Sequence, residues 1–228
     1  FLPVNSLSSI VKENSQIIVV GLGRFGSNVA RTLYQLGHDV LAIDKEEIRV
    51  QSMMGEVTYP VTGDATEESV LRELGVQNFN IGVVGIGTNI ESSIMVSVLL
   101  KETMKIDTVV SRASTRLHGS ALELIGCDRV IYAEEEMGVQ LAHNLFNPDV
   151  EEYMQIAPTY GINKLSVPER FVGMNLKEAG FSNIRDKYGV TIIVLKRGDN
   201  IILSPDSGEE IKEGDEILTT ELEHHSNY

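Results

Sequence analysis

The sequence is poor in cysteine and in long apolar runs, and each shortage excludes a class of protein. Cys127 is the one cysteine in 228 residues, which excludes an internal disulfide and a multi-cysteine metal site. Its apolar surroundings favour a buried thiol, and the compartment is most simply the reducing cytosol. No stretch approaches the ~20 apolar residues of a membrane-spanning helix. We therefore expect no direct membrane insertion and, at a membrane, a partner that holds the chain there.

Basic residues are scarce as well, because 19 Lys and Arg face 33 Asp and Glu for a formal charge of −14. Such a surface repels nucleic acid, so we expect no nucleic-acid partner. The acidic residues are dispersed, which is typical of a solvated surface. No histidine has neighbours that suggest a proton relay; the five are His38, His118, His143, His224 and His225. The sequence therefore predicts binding without catalysis.

The first part of the chain alternates short β-branched runs with amphipathic segments of helix length. Strands are predicted at 17–20, 40–43, 57–61, 81–86, 108–110 and 130–131. Helices are predicted between them at 25–36, 45–54, 66–74, 90–105 and 115–125. Short strands that are apolar on both sides and separated by helices indicate a parallel sheet covered on both faces. The fold class predicted is α/β, a doubly wound (Rossmann) sheet.

The pattern changes after residue 134. A further helix is predicted at 134–146, ended by the proline that follows. Beyond it, strands are predicted at 162–167, 190–196, 200–203 and 216–220, with a helix at about 175–188. We therefore predict a Rossmann nucleotide-binding domain over 15–147, including the crossover helix, and a small α+β domain over 150–222. A unit this small is near the lower limit for independent stability, which favours pairing with a second copy.

A glycine-rich turn, VGLGRFG, matches G-x-G-x-x-G at Gly21, Gly23 and Gly26. The first glycine allows the tight turn, the second lets the backbone approach a pyrophosphate, and the third lets the helix pack on the strand. The helix that follows presents free N–H groups and a partial positive charge to phosphate. Because the motif follows a predicted strand and precedes a predicted helix, it indicates a dinucleotide-type site.

Two acidic positions follow at the ends of the next two predicted strands. Asp44 lies 18 residues beyond Gly26, close to the ~20 expected of a carboxylate that binds ribose hydroxyls. An acid there disfavours a 2′-phosphate and hence NADP. The third strand ends in Asp64-Ala65-Thr66, which we expect near the adenine. For Asp44, and for Asp64 or Thr66, the alternative is capping of the helix that follows.

Five segments in order resemble the Trk/Ktr family of potassium-transport regulators, which are built on RCK or KTN domains. The resemblance covers about 16–220, and the GLGRFG loop is the one found in the stand-alone Ktr-type subunits. The segments are GLGRFGSNVARTL, VLAIDKEEIRV, GDATEESVLRELGV, IGTNIESSI and GCDRVIYAEEEMGVQLA.

The resemblance implies a cytoplasmic gating subunit, held at the inner face of the cell membrane by a potassium-translocating partner. Rossmann lobes in this family pair into dimers, which assemble into a ring, usually of eight subunits. Adenine nucleotide, ATP or ADP, controls the ring. The implied nucleotide-binding residues are Gly21, Leu22, Gly23, Arg24, Phe25, Gly26, Asp44, Lys45, Asp64, Ala65, Thr66, Gly87, Asn89 and Arg112. Arg24 and Arg112 would bind phosphate, and Glu134 would help to hold a cation such as Mg²⁺.

Several alternatives stay open. The GDAT segment departs from the Asn-Ala-Thr of the closest Ktr-type subunits and resembles relatives for which NAD is the proposed ligand. ATP/ADP and NAD/NADH are therefore both candidates. Some relatives bind cyclic di-AMP at the C-terminal lobe, where Ile192, Ile193, Ile202 and Pro205 could line a pocket or simply form core. The opening segment lacks an initiating methionine, which fits a trimmed start or the linker of a longer channel polypeptide.

Two rival functions follow from the same Rossmann prediction. One is a small NAD-dependent oxidoreductase, against which the missing acid–base pair argues. The other is an NADH-sensing regulator of transcription, for which an acidic chain without a basic segment is poorly suited.

Overall fold

A computed structural model describes residues 15–146, 150–157, 160–180 and 191–222. The chain divides into two compact units, and the boundary along the chain lies between Glu134 and Glu135. The predicted domain limits, 15–147 and 150–222, stay a prediction. The opening segment lies outside the described residues. Among the helices described, none combines the length and the apolar character required to cross a bilayer.

The first unit is built on a six-stranded parallel sheet with the order β3-β2-β1-β4-β5-β6. Its strands are β1 Gln16–Val20, β2 Asp39–Asp44, β3 Tyr59–Thr62, β4 Ile81–Val84, β5 Thr108–Arg112 and β6 Arg129–Ile131. Its helices are α1 Arg24–Gln35, α2 Glu47–Gln51, α3 Glu68–Glu73, α4 Ile90–Val98 and α5 Arg116–Ile125, and α6 Ala133–Phe146 begins in this unit and continues in the second. This order confirms the predicted doubly wound fold. The direction of winding reverses between β1 and β4, where such sheets open a crevice at the carboxyl ends of their strands.

Alternate residues of the central strands supply two separate cores, one on each face of the sheet. Ile18 and Val20 belong to one core, and Ile17 and Val19 belong to the other. Because side chains alternate across a strand, a run that is apolar at every position fills both faces. Helices α3 and α4 contribute to the first core, and α1 and α2 contribute to the second. The sheet is thereby held rigidly beneath the crevice.

Two helices are shorter than predicted because side chains hold the residues before them in turns. The Asp44 carboxylate accepts the Glu46 N–H at 2.9 Å, so α2 begins only at Glu47. Asp64 accepts the Thr66 N–H at 2.9 Å in the same way, and α3 begins at Glu68. The predicted helix 90–105 is present as α4, which continues as a π-helical stretch at Leu99–Thr103.

The second unit carries a five-stranded antiparallel sheet with the order β10-β9-β11-β8-β7. Its strands are β7 Val150–Ala157, β8 Tyr160–Ser166, β9 Thr191–Arg197, β10 Asn200–Leu203 and β11 Asp215–Leu222. Leu195 and Ile217 lie in its core with Leu176 and Ile211. Arg197 donates from Nε and Nη2 to the two oxygens of buried Asp215, at 2.9 and 2.8 Å. A buried carboxylate is stable only when it is paired in this way.

Two expectations for this unit were wrong or incomplete. Strand β7 was not predicted, since its acidic and apolar residues do not follow a clear alternation. The predicted helix at about 175–188 is not formed over its described part. Asn175 instead makes an isolated bridge to Glu210, and Gly180 has a φ of +89°, which interrupts a helix. The remainder of that predicted helix lies outside the described residues.

Candidate functional site

The three motif glycines have different structural roles at the turn between β1 and α1. Gly21 has a φ of +88°, and a Cβ there would lie 2.8 Å from Ile86 Cγ1. A Cβ on Gly26 would lie 1.9 Å from the Gly21 carbonyl oxygen. Gly23 differs, because nothing lies within 4 Å of the corresponding position. Two glycines are thus required by packing, while the middle one leaves open space beside the first residues of α1.

Asp44 lies beside this turn and fixes it from the end of β2. Its side chain is buried, and Oδ2 accepts the Leu22 N–H at 2.7 Å while Oδ1 accepts the Glu46 N–H. Arg49 adds a contact from Nη1 to Oδ2 at 3.3 Å. Since a carboxylate has about four acceptor positions, three are occupied and one remains for a ribose hydroxyl. Asp44 does not cap α2, whose N-cap is Glu46; its ribose role stays a prediction.

Arg49 belongs to this cluster and was missed by the sequence interpretation. Besides Asp44, it pairs with Glu46, from Nη2 to Oε1 at 3.1 Å. The spacing could have indicated this contact. When a strand is followed by a short turn and a helix, the residue five positions after the strand end lies close to that end. Arg49 partly neutralises the buried carboxylate and keeps it oriented towards the turn.

The end of β3 places Asp64 and Thr66 near Lys45, at the neighbouring strand end. Asp64 Oδ1 accepts the Thr66 hydroxyl at 2.7 Å as well as its N–H. The Thr66 hydroxyl and N–H lower the pKa of Asp64, with a smaller contribution from the charge of Lys45. Ala65 is buried in the core beneath. Asp64 is therefore an exposed, ionised carboxylate at the mouth of the crevice.

Arg112, at the end of β5, brings together residues from four strand ends. Its guanidinium lies 5.8 Å from the centroid of the Phe25 ring. A Cβ on Gly87 would lie 2.6 Å from Arg112 Nη1, so the guanidinium occupies the space that a side chain at position 87 would take. Nη2 pairs with Glu134, in the first turn of α6. Phe25, Gly87, Arg112 and Glu134 thus form one cluster, and their roles in binding nucleotide or cation stay predictions.

Two predicted residues are placed apart from these contacts. Arg24 is the exposed first residue of α1 and makes no ion pair with any residue that the structure describes. Asn89 caps α4, accepting the Ser92 N–H at 2.9 Å. A solvated guanidinium at a helix start remains available for a phosphate, whereas the Asn89 side-chain oxygen already accepts one hydrogen bond as a helix cap.

The predicted cation site rests on Glu134 alone. Within the described ranges, no three His, Cys, Asp or Glu side chains lie together as metal ligands would. Cations such as Mg²⁺ need about six oxygen ligands. One carboxylate could therefore complete a site only together with phosphate oxygens and water.

His118 is the one buried histidine whose surroundings are described in full. It is 2% exposed, and Nδ1 accepts the Ser114 N–H at 3.2 Å. The neutral ring must then carry its proton on Nε2, which is buried without a hydrogen-bond partner among the described residues. Burial lowers the pKa of His118 below its ordinary value of 6.5. This histidine is a structural group and does not point to acid–base chemistry.

We expect the free energy of unfolding to fall on acidification because of His118. The unfolded chain takes up a proton near pH 6.5, while the folded chain resists it until its lowered pKa is reached. The contribution of His118 to the free energy of unfolding is therefore complete above pH 6.5, and it is lost as the pH falls from 6.5 through the lowered pKa. Urea denaturation of the wild type and of His118→Asn at several pH values checks this. An equally steep loss in the variant between pH 6.5 and 5 would contradict it.

Comparisons with known proteins identify the family to which the chain belongs. Residues 17–133 match the model of the TrkA-N domain. The Ktr system potassium uptake protein A of Bacillus subtilis (strain 168) is 37% identical over 203 residues, which are 89% of this chain and 90% of that protein.

Two solved structures share the fold. The GsuK channel bound to NAD has a TM-score of 0.52 at 20% identity, over 93% of this chain and 37% of the channel chain. GsuK bound to ADP has a TM-score of 0.51 at 23% identity, over 61% and 35%. This chain thus matches little more than a third of those polypeptides. The likeness to a Ktr protein over nine-tenths of both chains, with the domain match, shows that this chain belongs to the TrkA-N domain family of potassium uptake proteins.

Proposed function

We propose that this chain is a regulatory subunit of a potassium transporter or channel, controlled by an adenine nucleotide bound at the carboxyl ends of β1 to β5. The observation that carries the proposal is the open space at Gly23, in a turn whose Leu22 N–H donates to Asp44 and whose Phe25 ring faces Arg112. Backbone N–H groups and a helix start supply the phosphate end of such a site. A buried carboxylate supplies the ribose end.

The nucleotide is one that carries an adenosine diphosphate group with a free ribose 2′-hydroxyl. ATP, ADP, NAD and NADH all meet this description. Asp44 would repel a 2′-phosphate, although Arg49 beside it lessens that repulsion. Asp64 and Thr66 lie at the strand end next to Asp44, where the adenine would be held. Of the two structural neighbours, one is a channel bound to NAD and the other is bound to ADP, which supports keeping both ligands.

The phosphates and any cation would lie towards Arg24 and Arg112. An exposed guanidinium at Arg24 suits a terminal phosphate because its geometry matches phosphate oxygens. Mg²⁺ would be held by those phosphates with Glu134. In the second unit, Ile192 and Ile202 are part of the core, which favours a structural role for them over a cyclic di-AMP pocket.

The nucleotide would act as a switch and would not be a substrate. The crevice residues supply charges and hydrogen-bonding groups, and His118 is buried with Nδ1 accepting the Ser114 N–H, so it is not placed to exchange protons with a ligand. A ligand shifts a conformational equilibrium only by its different affinity for two states. We infer that self-association, as dimers and a ring of eight, converts that difference into a change felt by a membrane potassium-translocating partner. The chain would then be cytoplasmic and peripheral to the membrane.

Potassium uptake in a bacterium that lacks its own uptake systems tests this function. The cells would express a Ktr-type membrane subunit alone, with this chain, or with its Gly23→Ala variant. We expect uptake to change when the wild-type chain is added and to change much less with the variant, whose nucleotide site is obstructed. Uptake that is the same in all three strains would contradict a regulatory role. An equal response to both chains would contradict control by nucleotide.

A further inference from the structure

The Arg112 side chain occupies a position between the phosphate-binding turn and the start of α6. It extends from the end of β5, fills the space that a Cβ on Gly87 would occupy and faces the ring of Phe25, the second residue of α1. On its far side, Nη2 pairs with Glu134. The guanidinium is thus shared between the crevice and the first turn of α6.

Arg112 has hydrogen-bonding capacity that its partner does not use. Its side chain is 18% exposed, yet Nε is buried without a hydrogen-bond partner among the described residues. A buried N–H that lacks an acceptor is unfavourable by ~1–3 kcal/mol, and such atoms mark places where a ligand or water completes the structure. A phosphate can accept from two nitrogens of one guanidinium at once.

Glu134, by contrast, would lose little if it released Arg112. Its side chain is 65% exposed, so water solvates the carboxylate once it is released, and an exposed carboxylate contributes little through such a pair. It lies in the first turn of α6, where a carboxylate is stabilised by the helix dipole whether or not it has a partner. The pair is therefore easily exchanged for a stronger one.

We propose that Glu134 is an internal competitor for Arg112, and that nucleotide phosphate binds Arg112 by displacing it. This inference rests on the proposed function, since it needs phosphate in the crevice. It makes Glu134 a residue that sets nucleotide affinity even when no divalent cation is present. It also gives occupancy of the site a direct effect on the first turn of α6, which leads into the second unit.

The test is a calorimetric titration with ADP, the group common to all four candidate nucleotides, in EDTA and again in Mg²⁺. The proteins are the wild type, Glu134→Gln, Arg112→Gln and the double variant. Glu136→Gln is the matched control, because it removes the same charge from the same exposed turn. In EDTA we expect Glu134→Gln to bind ADP about three- to fivefold more tightly, as loss of an exposed competing pair implies. The gain should disappear in the Arg112→Gln background.

Each other outcome has a distinct meaning. Unchanged or weaker ADP binding by Glu134→Gln in EDTA overturns the inference and leaves nucleotide binding intact. An equal gain from Glu136→Gln, or in the Arg112→Gln background, also overturns it, because general charge repulsion would then be the cause. If the wild type does not bind ADP, the same comparison is made with whichever of ATP, NAD and NADH it binds, and absence of binding of all four overturns the proposed function itself. Weaker binding by Glu134→Gln only in Mg²⁺ supports a second, cation-holding role alongside the competition.

Discussion

Replacing Gly26 with alanine is expected to destabilise the first unit severely. The new Cβ would lie 1.9 Å from the Gly21 carbonyl oxygen, and neither backbone can move without breaking the junction of β1 and α1. Overpacking of this kind costs about 3 kcal/mol, which corresponds to a fall of about 10 °C in melting temperature. Thermal unfolding followed by circular dichroism measures the effect.

Gly23→Ala is the matched control for that change. Gly23 has a φ of −67° and a ψ of −175°, which any residue adopts, and no atom lies within 4 Å of the new methyl. Its stability should fall by less than about 1 kcal/mol, the usual preference for glycine over alanine at an N-cap. Nucleotide binding should nevertheless weaken markedly, because the methyl occupies the open space beside the helix start. Normal stability of Gly26→Ala, or normal binding by Gly23→Ala, would contradict this division of roles.

Asp44→Ala is expected to have the largest effect on nucleotide affinity. The change removes a charged acceptor for the ribose and frees the turn that carries Leu22. Hydrogen bonds to charged groups contribute about 1.5–3 kcal/mol, so the affinity for ADP should fall about 30-fold. The buried Leu22 N–H loses its acceptor as well, which should lower the free energy of unfolding by about 2 kcal/mol. Titration calorimetry and urea denaturation measure the two effects separately.

Two variants separate these contributions. Asp44→Asn keeps an acceptor for the Leu22 N–H, so it should retain most of the stability while still losing affinity. Glu46 is the other partner of Arg49, and both side chains are about half exposed. Glu46→Gln should therefore change neither the affinity for ADP nor the free energy of unfolding appreciably. Affinity in Asp44→Ala that equals that of the wild type would remove Asp44 from the ribose site.

The topology of the first unit was predictable because it depends on local patterns. Short runs that are apolar at every position can be satisfied only in a sheet covered on both faces, and the glycine spacing can be satisfied only at a strand-to-helix turn. Gly21, Gly26 and Asp44 lie where those rules placed them. The packing role of Gly26 is therefore visible from the sequence. The hydrogen bond from the Leu22 N–H to Asp44 is not, because the sequence indicated only ribose binding or capping for that carboxylate.

Other features depend on contacts between distant residues and left little trace in the sequence. The pair of Arg112 with Glu134 requires the ends of β5 and β6 to be neighbours and Gly87 to be small enough to admit a guanidinium. Arg49 is only five positions from Asp44, but its contact with that carboxylate depends on a turn at residues 44–46, where a helix from 45 had been predicted. Strand β7 gains its pairing from β8, and its own residues alternate too poorly to predict it. Tertiary context decided each of these.

The most direct test of the account is a calorimetric titration of the nucleotide-stripped protein with ATP, ADP, NAD and NADH. We predict saturable binding of at least one of them, with a stoichiometry of one per chain and with strong dependence on Asp44 and Gly23. Preference within the four would identify the physiological ligand. Failure of all four to bind would contradict the nucleotide switch, and the second unit would then be the place to seek the signal that this family member detects.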